Sequence, residues 1–312
     1  MARNFAWIGV PTAAGAHSPG VEKAPDALRR AGLLERLAAR ATVSDLGDLA
    51  VVPFAMDRAH PRRQNADTVA RVARDVAQRT GAALQDGALP LVVGGECTIL
   101  LGVLAGFLEA GSDVGLVYLD AHPDLNTPDS VVQGALDWMG MAHVLALPGS
   151  LGELRRVGPR APLLGWDDVV FFGSVESELT PWEREQLAPH AERVVAATVA
   201  RGRPAQAARE ARGLLEARGA PFVVHFDVDV LDYVDTPIAD NAYQRNQGLT
   251  LDEAMTALAV FAGSALFGGL VLTEVNPDHV PDAELLREFA GRLALALAAR
   301  SGFSLTPASP SA

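Results

Sequence analysis

One cysteine, Cys97, serves the whole chain. That scarcity excludes an intramolecular disulfide, and with it the small stapled scaffolds of secreted proteins, and it fits a reducing cytoplasm. Basic residues are also in short supply: 26 Lys and Arg face 38 Asp and Glu, a formal charge of −12. Such a balance argues against a nucleic-acid partner and against an anionic membrane surface. Long apolar runs are nearly missing. The opening Phe5-Ala-Trp-Ile-Gly-Val10 is too brief for a signal-peptide core and reads as a first strand. Residues 254–273 carry no charge, but Gly263, Gly268 and Gly269 interrupt them, so they read as helix, turn and buried strand rather than a membrane span. No internal repeat and no Pro-, Gly- or Ser-rich linker divides the chain.

What is present is an ordinary globular composition. The 312 residues are 49% hydrophobic and 21% charged, enough for one large or two ordinary domains. Apolar, β-rich runs at 5–10, 42–46, 90–93, 114–119, 169–172, 193–196, 221–226 and 267–272 predict strands. Helical patterns lie between them, near 25–40, 65–86, 98–109, 134–147, 204–218, 250–262 and 281–299. This alternation predicts a single α/β domain over 1–303 with a mainly parallel sheet, and a flexible tail at 304–312. Fully apolar strands such as Leu116-Val-Tyr-Leu119 suit a sheet covered on both faces.

Polar clusters follow several of these strands. Asp120-Ala-His-Pro-Asp124 places Asp120, His122 and Asp124 at alternate positions, and Asp227-Val-Asp229 repeats the spacing later in the chain. Side chains two apart on an extended chain share a face, so each cluster can aim several donors at one point. Open α/β sheets bind ligands beyond the carboxyl ends of their strands. Gly94-Gly-Glu-Cys-Thr98 and Thr273-Glu-Val-Asn-Pro277 fall at such ends too. Carboxylates gathered this closely would repel one another without cations, which points to a two-metal hydrolase.

Taken in order, these motifs resemble the ureohydrolase superfamily of arginase, agmatinase and formiminoglutamase. The likeness opens with Gly9-Val-Pro and Gly20-Val-Glu-Lys-Ala-Pro, runs through the clusters above and closes with Gly248-Leu-Thr and Glu274-Val-Asn-Pro. It implies a three-layer α/β/α fold around an eight-stranded parallel sheet. It also implies two divalent metal ions, Mn2+ first, bridged by Asp120 and Asp227. Cys97 and Asp124 would complete one position, His122 and Asp229 the other. The implied reaction is attack of a metal-bridging hydroxide on a guanidine carbon of arginine or an arginine-like, N-modified amino acid, giving urea and an amine. Asp124 would handle the proton and Glu274 would face the guanidinium. Asn126 and Glu176 match the family's positions for the α-carboxylate and α-amino group. Family members are commonly trimers or hexamers, which implies a homo-oligomer.

Two departures stand out. The family's Gly-Gly-Asp-His-Ser reads Gly94-Gly-Glu-Cys-Thr98 here, so a histidine ligand is replaced by Cys97. A thiolate would tilt preference toward Zn2+, Co2+ or Fe2+; the alternative is a buried thiol that ligates nothing. The family's His-Gly-Met-Pro histidine is also missing, its place falling on Asp137 or Met139 according to the alignment. His143 and His225 are the candidates for compensation, with His225 on the same strand face as Asp227. His17 and His279 have no informative context. Hydrolysis of a formimino or other amidine C–N bond, and a catalytically degenerate binding or scaffold subunit, are the alternative readings.

Overall fold

Each of the eight apolar runs becomes a strand in the computed structural model, which describes residues 3–241 and 246–299. The expected tail at 304–312 lies outside the described residues. The strands are β1 (Asn4–Val10), β2 (Thr42–Asp48), β3 (Leu89–Gly94), β4 (Gly115–Leu119), β5 (Val169–Ser174), β6 (Val194–Ala196), β7 (Phe222–Asp227) and β8 (Phe267–Thr273). They form one sheet in the order β2-β1-β3-β8-β7-β4-β5-β6. Every described pairing is parallel, so the expected mainly parallel sheet is wholly so.

Strand periodicity sorts side chains onto the two faces. On β7, Phe222, Val224 and Phe226 join one hydrophobic cluster and Val223 the other. Helices Ala24–Arg30, Leu33–Ala38, Pro204–Glu216, Leu251–Ala262 and Ala283–Leu297 cover the first face. Ala66–Gln85, Ile99–Glu109 and Gly140–Val144 cover the second. The result is the three-layer arrangement that fully apolar strands require. The edges are blunted differently: β2 is polar and half-exposed, and β6 has only three residues.

Several helical expectations change: 25–40 divides into Ala24–Arg30 and Leu33–Ala38, and short unexpected helices form at Gly152–Arg155 and Ala197–Ala200; two further changes bear on the site. Residues 134–147 do not form one helix but a 3-10 turn, Asp137–Met139, followed by the five-residue helix Gly140–Val144. The backbone N–H groups of Leu136 and Asp137 donate to the Gly15 carbonyl instead of to a preceding turn. The Asp137 side chain meanwhile accepts from the backbone N–H groups of His17 and Trp138. The second change is an unexpected helix, Pro181–Leu187. It begins with a Thr180/Glu183 capping box and Pro181 in its first turn, a start signal that is present in the sequence. Among the described residues no helix is long and apolar enough to cross a membrane, and 254–273 is indeed helix, turn and β8.

Candidate metal centre

Four neighbouring strands, β3, β8, β7 and β4, end side by side and deliver the polar clusters to one place. In the β4–β7 register Tyr118 faces His225 and Leu119 faces Phe226, which brings the next residue, Asp120, level with Asp227. The loop after β3 passes tightly over the sheet. A Cβ on Gly95 would sit 1.6 Å from the Thr12 carbonyl oxygen, so only glycine lets the chain turn there and seat Cys97. Glu274, just past β8, is pinned to the same loop. Its N–H donates to Gly95 O at 2.8 Å, and its Oε1 accepts from the Cys97 N–H at 3.2 Å. Glu274 and Asp124 both take positive φ, 62° and 49°. Each such non-glycine backbone costs about 1–3 kcal/mol, a strain that clusters where side chains are aimed for function.

Two groups of donor atoms result. Cys97, Asp120, His225 and Asp227 each bring one ligating atom within 4.8 Å of the others, and Asp120, His122 and Asp229 do likewise. Cys97 Sγ donates to Asp227 Oδ2 at 2.8 Å. Asp227 Oδ1 accepts from the Asp229 N–H at 2.7 Å, and Asp120 Oδ1 from the His122 N–H at 2.7 Å. His122 lies between two carboxylates, with Nδ1 at 2.9 Å from Asp229 and Nε2 at 3.0 Å from Glu178. The Tyr118 hydroxyl donates to Asp124. That carboxylate belongs to neither compact group among the described residues.

The electrostatics are those of too many acids in too little water. Burial first, then mutual repulsion, pushes Asp120, Asp227 and Glu274 well above the usual carboxylate range. Burial also raises Asp124, against its hydrogen bond from Tyr118. Asp229 goes the other way: burial is the largest single effect and would raise it, but His122, the Asn241 amide and the Ala121 N–H together lower it. The Cys97 thiol is driven up by burial and by Asp227. Among the described residues, Asp120 Oδ2 and Glu274 Oε2 are buried without a hydrogen-bond partner. Oxygen-rich donors with an imidazole and a thiol, two of their oxygens orphaned, fit divalent cations.

A cavity of about 560 Å³ opens above these groups. Cys97, His122, Asp124, Asp227, Asp229 and Glu274 line it, whereas Asp120 does not. Asn126 also lines it, with Nδ2 donating to Glu183 at 2.8 Å and Oδ1 accepting from Thr180 at 3.0 Å. Glu176 does not line it: it is exposed, and its carbonyl accepts from Arg184. The acidic wall comes instead from Glu178 and Glu183, which the sequence reading missed. It missed His17 as well, which lies at the cavity 3.0 Å from Asp137 and 3.2 Å from Asp240. His17, from the loop after β1, thus places an imidazole beside Asp137 at this corner of the cavity. The Asp137 hydrogen bond raises His17 to about 9 against the opposing effect of burial. His143 is buried away from the cavity, its Nδ1 on Met139 O at 2.6 Å, and burial lowers it to about 4. His225 lies beneath the floor, fully buried.

The family model described as "Arginase family" matches residues 3–299. The chain belongs to the arginase family. It is similar to human Arginase-1, 29% identical over 88% of this chain and 86% of that protein, and to the arginase of Bacillus caldovelox, 29% identical over 86% and 90%. The solved structure of the Bacillus caldovelox arginase superposes with a TM-score of 0.86 at 25% identity, covering 98% of this chain and all of that one. A formimidoylglutamase structure from Bacillus subtilis shares the fold, with a TM-score of 0.73 at 20% identity. As an arginase-family hydrolase, the chain carries acidic clusters at its strand ends and Cys97 on the loop after β3.

Proposed function

We propose that the chain is a binuclear metal-dependent amidinohydrolase that cleaves a guanidine C–N bond of arginine or an arginine-like amino acid, releasing urea and an amine. The observation that carries this reading is the pair of donor groups sharing Asp120 at the base of a cavity sized for a small molecule. Cys97, Asp124 and Asp227 would hold one cation and His122 and Asp229 the other, with Asp120 common to both. Bound there, two cations of the Mn2+, Zn2+, Co2+ or Fe2+ type would polarise a water and lower its pKa.

The chain's own residues supply the rest. Glu274 lines the cavity and would pair with the guanidinium, one of its carboxylate oxygens being fixed by the Cys97 N–H. Asp124, with Oδ2 held by the Tyr118 hydroxyl, carries a proton from the nucleophile toward the leaving nitrogen. His17, held by Asp137 and Asp240 at the cavity, stays protonated at neutral pH and passes a proton to the departing amine. Glu178 offers a carboxylate to a substrate amino group, and Asn126 takes up the carboxylate-binding role. Glu178, Glu183 and Asp137 make the wall acidic, which favours a cationic substrate over an anionic formimino acid. We place the enzyme in the cytoplasm as a homo-oligomer.

A panel of guanidines offered to metal-reconstituted protein, with urea, formamide and ammonia scored in parallel, tests this reading. Urea from arginine or an N-substituted arginine is expected. Formamide from a formimino substrate, without urea, would replace it with the amidine alternative; no turnover at full metal occupancy would leave a binding subunit.

A further inference from the structure

The loop after β3 brings a thiol where an imidazole is expected, yet an imidazole stands at the same point from below. His225 lies on β7 two residues before Asp227, so both side chains leave the strand on one face. Its Nε2 is 3.8 Å from Asp120 Oδ2, a buried oxygen with no hydrogen-bond partner among the described residues, and 3.4 Å from Thr273 Oγ1. Thr273 Oγ1 is in turn 3.5 Å from Cys97 Sγ. The ring lies flat on Tyr118, with centroids 4.4 Å apart and planes within 3°, so its edge is held toward the carboxylates. His225 is fully buried, its Nδ1 has no partner among the described residues, and its Nε2 has only the long 3.4 Å contact with Thr273 Oγ1, so hydrogen bonding satisfies this ring only in part. Asp124, whose carboxylate accepts from the Tyr118 hydroxyl, is not part of this compact group among the described residues.

We propose that His225 is a metal ligand, so that one position of the binuclear centre is built from Cys97, Asp120, Asp227 and His225 as a sulfur, nitrogen and two-oxygen site. The inference rests on the metal-hydrolase reading above and refines it: His225 takes the ligand place given there to Asp124, which keeps its proton-carrying role. The imidazole given up on the β3 loop is regained from strand β7, and Tyr118 stacks behind it to fix the ring plane. A thiolate and an imidazole together suit Zn2+ or Co2+ better than Mn2+. The other position, Asp120, His122 and Asp229, has no sulfur and suits Mn2+. The centre is therefore asymmetric, with a soft and a hard position sharing Asp120. On binding, the Cys97 thiol that donates to Asp227 releases its proton to solvent.

The test is a Co2+ titration of chelator-stripped full-length protein, followed by absorption spectroscopy and calorimetry. Wild type is expected to bind two equivalents, the tighter one giving a thiolate-to-cobalt charge-transfer band and intense ligand-field bands of low coordination. His225→Phe keeps the ring stack and the volume but removes both nitrogens. It should weaken the thiolate-linked Co2+ by more than about 100-fold, beyond the 10–100-fold cost of losing a group behind a ligand. Cys97→Ser should abolish the band, and both variants should keep the second equivalent. Unchanged bands and a smaller loss in His225→Phe would overturn the proposal. Paramagnetic NMR of the wild-type Co2+ protein answers without a variant. Two shifted exchangeable imidazole N–H signals, from His122 and His225, support the assignment, and a single one refutes it. Wild-type protein that binds no Co2+ at all would instead defeat the metal-hydrolase reading itself.

Discussion

Buried on the loop after β3, Glu96 accepts from Gly15 N–H, Thr98 N–H and Thr98 Oγ1. Burial nonetheless raises it from 4.5 to about 7. An acid whose folded pKa is raised favours folding while protonated, so its contribution is present below 4.5 and lost as pH rises through about 7. Across that window Glu96→Gln should lose about 3 kcal/mol less stability than wild type, measured as denaturant midpoints against pH. His17 gives the second residue-scale prediction. As an acid it works while protonated, so activity should fall as pH rises through about 9. His17→Ala should remove that alkaline limb and lower kcat by about 100-fold with little change in KM, read from pH–rate profiles. Individual residues were legible in the sequence up to the first turn after an apolar strand, as for Asp120, His122, Asp227 and Asp229, although only Asp227 lies within a strand and Asp229 sits in the 3-10 turn Val228–Val230. They were not legible beyond it. Past β5 the chain turns, with Glu178 N–H donating to Val175 O, so Glu178 rather than Glu176 faces the cavity. His17 joins Asp137 across a long sequence separation that no local pattern reveals.

Among elements, the central strands carry the site because their register does. Tyr118 opposite His225 and Asp227 opposite Thr273 line up the ends of β4, β7 and β8. Strand positions were readable because buried parallel strands are apolar on both faces. The 134–147 segment was not, because its backbone donors go to Gly15 and its Asp137 side chain caps a turn. Helix Pro181–Leu187 is short and half-exposed, so its apolar pattern is weak and only the capping box announces it. That box also reaches the site: Thr180 Oγ1 donates to Asn126 Oδ1, and Glu183 accepts from Asn126 Nδ2. Thr180→Ala should cost about 1 kcal/mol in chemical denaturation, the usual value of a lost N-cap. It should also raise KM by freeing Asn126.

For the whole molecule, the acidic balance and the strand-end site are linked. Asp120, Asp124, Asp227 and Glu274 all sit above the ordinary carboxylate range without cations. Raised acids stabilise the fold when protonated and lose that contribution as pH rises through their folded values. Metal-free protein should therefore become less stable from mildly acidic to mildly alkaline pH. Added metal should reverse the trend, because deprotonated donors bind it and binding to the folded state stabilises by mass action. Thermal denaturation with and without chelator reads this directly: the metal-dependent rise in Tm should grow with pH. A rise that shrank with pH would mean the carboxylates are not the ligands.

The central claim is that the ends of β3, β8, β7 and β4 hold two cations that act together on a guanidine. Urea release from arginine and N-substituted arginines, followed against metal equivalents per chain, tests it most directly. The expected curve stays low through the first equivalent, rises with the second and is absent in Asp120→Asn. Urea release that ignores chelation, or that saturates at one equivalent, would contradict it.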